Sequence, residues 1–256
     1  MEFAVYTRRV FSKIDSYMLA ILILLQRTDI QRKFKSSILS KIDKIFGGVL
    51  SLSRVLTQGL QAKRVISSYV LANQINVFDI NTQISKLGFS KKDSFVIADI
   101  GSGIGGYHKE WLRNFPNSAV LLIDQTKFSF TSLFYGHGKS ERYYNNLALA
   151  KKFLLYGGHV TPKQIHLIDT RSYKEKFEDS EIVISFISLG FHYPLETYWD
   201  RIWSSPKVQI LLLDVRIDSQ SEKFLLEELN IEFRGEKISS STKSHRWAVS
   251  RFKRRT

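Results

Sequence analysis

Asp99-Ile100-Gly101-Ser102-Gly103-Ile104-Gly105-Gly106 is the densest concentration of chemistry in the chain, with four glycines in six residues and a carboxylate two positions before the first. A loop with so few Cβ atoms lets the backbone come close to a ligand, and a flat or nucleotide-like group fits over it. Two further acids follow at the ends of apolar runs. Asp124 lies 25 residues after Asp99, where a carboxylate can accept both hydroxyls of a ribose, and Asp169 ends the next run. Each of the three acids could instead cap a helix. A different chemistry sits in Ser188-Leu189-Gly190-Phe191-His192-Tyr193-Pro194. The imidazole of His192 titrates near neutrality and suits a general base that takes a hydroxyl proton, while Tyr193 suits positioning of the group that loses it. The competing reading has His192 bonded locally and Tyr193 packed against Trp199 or Trp203.

These residues can act together only if the intervening elements bring them to one edge. From Phe95 onward, short apolar runs alternate with stretches long enough for crossover helices: Phe95–Ile100, Ala119–Ile123, Gln164–Ile168, Ile182–Ile187 and Val208–Leu213. That pattern predicts a parallel sheet covered on both faces, a doubly wound Rossmann-like α/β domain. The three acids then stand at the carboxyl ends of successive strands, the edge where such sheets bind ligands. A helix near Ser219–Leu229 precedes two more strand-like segments, Ile231–Arg234 and His245–Phe252, and their short Ser- and Thr-rich connection makes them antiparallel.

The string Asp99-Ile-Gly101-Ser-Gly103-Ile-Gly105, followed by Asp124 and Asp169, resembles the class I S-adenosylmethionine-dependent methyltransferases, over residues 95–252. The resemblance implies a seven-stranded, mostly parallel sheet of order 3-2-1-4-5-7-6 with strand 7 antiparallel, and S-adenosylmethionine as cofactor. It implies that Gly101, Ser102, Gly103 and Gly105 pass beneath the methionine part and that Asp99 orients its amino group. Asp124, with Gln125 beside it, would hold the ribose, Asp169 and Thr170 would border the adenine, and Ser188 joins the same cofactor set. His192 and Tyr193 would be the catalytic residues. No metal is implied, because Ser188 and Gly190 stand where metal-dependent catechol-type enzymes carry their first acid. The Asn or Asp, Pro-Pro-Tyr motif of amino-methylating enzymes is missing, whereas Ser188–Tyr198 resembles the corresponding segment of sugar O-methyltransferases. The expected acceptor is a small molecule or glycan, a sugar or other small hydroxylated compound, lipid-linked in one version.

The same loop also reads as G-x-G-x-x-G through Gly101, Gly103 and Gly106 with an acid 18 residues on, the pattern of a nicotinamide dehydrogenase. The acid ahead of the first glycine, the antiparallel sheet end and the lack of a second catalytic domain oppose it. A catalytically silent cofactor-binding subunit would keep the loop. The net charge of +14 suits RNA or an anionic membrane surface as partner, or serves solubility alone. Arg251, Lys253, Arg254 and Arg255 around Phe252 suit RNA, although a solvated basic tail is the commoner reading of such a run. The absence of Cys excludes a disulfide scaffold, a thiolate metal site and a cysteine nucleophile.

Residues 1–94 read as an N-terminal helical lid, acceptor platform or interaction region ahead of a methyltransferase-like domain over 95–256. Phe11, Ile14, Met18, Ile21, Leu22 and Leu25 recur at helical spacing, as do Ile38, Ile42, Ile45, Val49, Leu52, Leu56 and Leu60, with Gly47-Gly48 weakening the second helix. Their apolar faces can pack on the second region, pair two subunits as a homodimer, or lie on a membrane. Tyr69, Asn73 and Asn76 are expected near the pocket. Phe128, Phe130, Phe134 and Tyr135 either cover the adenine or fill core. Tyr17–Leu25 is nine residues, against about 20 for a membrane-spanning helix, and no cleavage site follows. The expected location is cytoplasmic, or peripheral at a membrane surface.

Overall fold

A computed structural model describes residues 12–26, 60–124, 127–128, 144–170, 179–186, 188–190 and 193–251. In chain order the helices are α1 (Lys13–Gln26), α2 (Ala62–Ala72), α3 (Gln74–Lys86), α4 (His108–Asn114), α5 (Leu147–Leu155), α6 (Glu196–Ser204) and α7 (Gln220–Ile231). The main-sheet strands are β1 (Val96–Ile100), β2 (Ala119–Asp124), β3 (Ile165–Asp169), β4 (Ile182–Ser185), β5 (Ile210–Arg216), β6 (Phe233–Ser240) and β7 (Ser244–Arg251). The described residues fall into two compact units that interleave along the chain, one within 1–78, 103–110 and 125–161, the other within 79–102, 111–124 and 162–256.

The second of these units holds the seven-stranded sheet, of order β3-β2-β1-β4-β5-β7-β6. β1 to β5 pair in parallel, and β7 runs antiparallel to both β5 and β6. This is the order and the single reversal that the resemblance implied. The central strands are buried along nearly their whole length, as their apolar runs require for a sheet covered on both faces. On one face Trp199, Trp203 and Phe233 meet edge-on or tilted, at centroid separations of 4.8–5.8 Å, and join Leu211, Leu213 and Val249 in one core. Elsewhere in this unit Phe95 stacks on Trp111 of α4. Ser219 caps α7 by accepting the Glu222 N–H, at 3.1 Å.

Two expected boundaries are corrected. Ile231 belongs to α7, where Asn230 turns its amide back onto the Leu226 carbonyl and leaves the helix unbroken. The strand therefore begins at Phe233 and runs to Ser240, consuming much of the segment that read as connection. Its polar composition suits an edge strand, whose outer side meets water and whose charges discourage pairing with another chain.

The other unit is helical. Ser12 and Asp15 open α1 with a reciprocal cap, each side chain accepting the other's backbone N–H at 3.0 Å. The expected stripe holds only in part: Ile14 and Met18 are exposed, whereas Leu19–Leu24 are buried all round. They pack with Val65 and Tyr69 of α2, Ile104, and Leu149 and Phe153 of α5, so this part of the α1 apolar surface is buried within its own chain. Lys152 of α5 adds an ion pair to Asp15 at 3.1 Å. Lys127–Phe128 and Tyr144–Asn145 form a short antiparallel ribbon. The second stripe, Ile38 to Leu56, and Phe130, Phe134 and Tyr135 lie outside the described residues. Among those described, no helix is long and apolar enough to cross a membrane.

Candidate functional site

Within the sheet unit, registry places Asp124 and Asp169 side by side and Asp99 two residues further back on the neighbouring strand. Asp99 pairs with Leu122 on one side and Ile184 on the other, and Asp124 stands directly opposite Asp169 at the carboxyl ends of β2 and β3. Asp99 is fully buried, and Asp124 and Asp169 are half-buried. Thr170 donates its N–H to the Asp124 carbonyl at 3.1 Å, which ties the exits of the two strands together.

Gly101 follows β1 with φ +71°, and it could hold no other residue: a Cβ there would lie 2.1 Å from Ser188 Oγ and 2.3 Å from Ser188 Cβ. The N–H groups of Gly101 and Ser102 both point to the Ile123 carbonyl, at 2.8 and 3.3 Å. The loop thus takes its shape from β2 on one side and from the turn after β4 on the other. The hydroxyls of Ser102 and Thr170 are buried with no hydrogen-bond partner among the described residues. A hydroxyl left so costs about 1–3 kcal/mol, so a polar group arriving at this edge recovers free energy. Carboxylates and buried hydroxyls at the exits of β1, β2 and β3 fit a nucleoside bearing an amino acid.

The turn after β4 is built from one side chain that the sequence did not flag. Ser185, fully buried, donates to the Ile100 carbonyl and accepts the Leu189 N–H, both at 2.9 Å. This bond pair ends β4 two residues earlier than its apolar run suggested. Tyr193 donates its N–H to the Ser188 carbonyl (3.1 Å), Gly190 donates to the Tyr193 carbonyl (2.8 Å), and Arg216 of β5 donates to the Gly190 carbonyl (3.0 Å). Ser188 and Tyr193 are thereby fixed to each other and to the ends of β1 and β5. Tyr193 is half-buried against the core that contains Trp199 and Trp203. His192 and Gln125 lie outside the described residues.

Beneath Phe186 lies a buried ionic group. Arg246 of β7 grips Asp214 of β5 through Nε (2.7 Å) and Nη2 (2.9 Å), reaches Asp79 of α3 through Nη1 (2.8 Å), and has its guanidinium 4.0 Å from the Phe186 ring centroid. Burial opposes the guanidinium's charge, but the two carboxylates outweigh it and raise the pKa above its ordinary value. Asp214 is also why β5 continues past Leu213, since its charge is neutralised across the strand pair. Only the repeated placement of an acid near a strand end hinted at it. Arg251, read from sequence as part of a basic tail, stacks over Trp203 at 5.3 Å.

In the helical unit, Gly103 and Gly105 have φ of +55° and +59°. Tyr69, Asn73 and Asn76 are all buried. Asn76 donates to the Asn73 side chain, Asn73 donates to the Tyr69 carbonyl, each at 2.8 Å, and the Tyr69 hydroxyl accepts the Gly106 N–H at 3.2 Å.

No protein-family model matches the sequence, and no curated protein matches it significantly. Solved structures that the chain is similar to include the precorrin-6y C5,15-methyltransferase of Geobacter metallireducens, at 15% identity over 67% of this chain and 87% of that one, TM-score 0.43. M. capricolum TrmK in complex with S-adenosyl-homocysteine shares 17% identity over 66% of each chain, TM-score 0.41. The human methyltransferase 10 domain containing protein shares 12% over 68% and 81%, TM-score 0.46. The strand order and the reversed β7 in themselves define the class I methyltransferase fold.

Proposed function

We propose that this chain is an S-adenosylmethionine-dependent methyltransferase that acts on an oxygen of a sugar or other small hydroxylated acceptor. The observation that carries the reading is the pairing of Asp124 with Asp169 at the carboxyl ends of β2 and β3, with Asp99 near the end of β1 just before a glycine loop whose first residue is closed against Ser188. The bound cofactor supplies an electrophilic methyl group on a sulfonium. Asp124 would accept hydrogen bonds from the ribose hydroxyls, Asp99 would draw the ammonium, and the hydroxyls of Ser102 and Thr170, which have no partner among the described residues, would be open to the cofactor's polar groups. Methyl transfer is an in-line displacement that asks the protein chiefly for alignment. The turn after β4 supplies rigidity for it, with Tyr193 held to orient the acceptor hydroxyl. That hydroxyl's proton passes to a base, for which His192, adjacent to Tyr193 in the sequence, is the residue proposed. Oxygen as the accepting atom rests on the resemblance of Ser188–Tyr198 to sugar O-methyltransferases.

Calorimetric titration with S-adenosylmethionine and S-adenosylhomocysteine tests the cofactor. Replacing Asp124 by Ala removes charge-assisted bonds and is expected to weaken binding about 10- to 100-fold. Binding of a nicotinamide dinucleotide in place of either sulfur compound would overturn the reading. Methyl incorporation into sugars, with RNA as the rival acceptor, then decides the substrate class.

A further inference from the structure

We infer that Tyr69 is a positioning residue for the second half of the glycine loop, so that helix α2 controls how well the cofactor is held. The inference rests on the cofactor reading above. Gly106 lies in the turn two residues ahead of α4, where its N–H needs a partner from outside that helix. Here the Tyr69 hydroxyl accepts it, at 3.2 Å. The ring of the same residue occupies the adjoining space. A Cβ on Gly106 would lie 2.4 Å from Tyr69 Cε1 and 2.8 Å from Phe153 Cε1. Gly106 is therefore wedged between two aromatic rings and pinned through its nitrogen.

The pin has firm anchorage. Tyr69 is only 4% exposed and belongs to the core formed with α1 and α5, which also contains Ile104 of the loop. Its own carbonyl accepts the Asn73 amide, and Asn76 holds Asn73 in turn. This chain of bonds fixes the end of α2 just where its ring meets the loop. The loop glycines are the residues least able to hold a shape unaided, because they surrender the most backbone freedom on ordering. A clamp on one of them lowers the entropy that a ligand must otherwise remove on binding.

Tyr69→Phe keeps the ring and deletes the acceptor, so it separates the clamp from ordinary core packing. The variant is expected to melt within about 4 °C of the parent, the effect of losing a single hydrogen bond in a chain of this size. In the ligand-free protein, exchange of the Gly106 amide proton, followed by NMR, should accelerate about fivefold, and the Kd for S-adenosylhomocysteine should rise by a similar factor. With an acceptor in hand, KM for S-adenosylmethionine should rise while kcat holds. An unchanged Gly106 amide or an unchanged Kd in Tyr69→Phe would overturn the inference. Tighter binding would overturn it too, since the hydroxyl would then compete with the ligand for that N–H. If the parent protein itself fails to bind S-adenosylhomocysteine, the cofactor reading fails first, and the result is distinct from a variant that binds as the parent does.

Discussion

Gly101→Ala should damage this protein more than any substitution of comparable size on its surface, and Ser188→Gly should repair part of the damage. Two separable costs are involved. An L-residue at φ +71° carries a penalty of about 1–2 kcal/mol. The added methyl would also lie 2.1 Å from Ser188 Oγ and 2.3 Å from its Cβ. Rotation about χ1 moves the oxygen away but leaves Cβ in place, so the backbone after β4 must shift, an overpacking cost of about 1–3 kcal/mol. The sum, about 2–5 kcal/mol, is a large part of the 5–15 kcal/mol that ordinarily separates a folded domain from its unfolded chain. Ser188→Gly deletes both colliding atoms and leaves Ser188 Cα at 3.8 Å, an ordinary contact. Taken alone, it costs roughly 0.5–1 kcal/mol through chain entropy. The double variant should therefore retain the φ penalty and lose the collision, which gives a coupling of about 1–3 kcal/mol between the sites. Urea unfolding of the four proteins, followed by circular dichroism, measures it. Effects that add to within about 0.5 kcal/mol would show that the two loops do not touch as described.

Two other outcomes are expected. Ser185→Ala leaves the Leu189 N–H and the Ile100 carbonyl without the bridging hydroxyl and should cost about 2 kcal/mol, while Ser204→Ala, whose hydroxyl bonds the Arg201 carbonyl in the open, should stay within about 0.5 kcal/mol of the parent; equal losses in urea unfolding would contradict the buried bridge. The carboxylate of Asp93 accepts the N–H of Ser90, and then its hydroxyl, and these bonds hold its pKa below the usual 3.8. A depressed folded-state pKa stabilises above the unfolded value, and that contribution is lost as pH falls through the folded one. An NMR titration should place the Asp93 midpoint below 3.8, and a midpoint at or above that value would refute the turn geometry.

The sheet was legible because its central strands β1, β4 and β5 are buried on both faces and so carry continuous apolar runs. Asp124 was readable at a strand end because it closes the apolar run of β2, and Asp169 because it closes the shorter, partly exposed β3. What could not be read is pairing across long sequence separation. Nothing near Ser185 announces that it meets Ile100, and nothing near Tyr69 announces Gly106. Strand β6 was misjudged because its residues answer to an edge, where polarity is tolerated, and not to a core. Arg251 was counted as tail charge, although a guanidinium can also lie flat on an indole.

The pairing of Asp214 with Arg246 bears on how the chain finds its fold. The two are direct cross-strand neighbours on β5 and β7. The antiparallel strand is also the last to be added to the sheet along the chain, and its neighbours on either side of Arg246 are His245 and Trp247. A slip of one residue would bring one of these opposite Asp214 and strand a carboxylate and a guanidinium in the interior, a loss of about 3–5 kcal/mol. It would also turn every β7 side chain to the wrong face. The salt bridge therefore acts as a proofreading mark, penalising the nearest wrong register of β7 against β5.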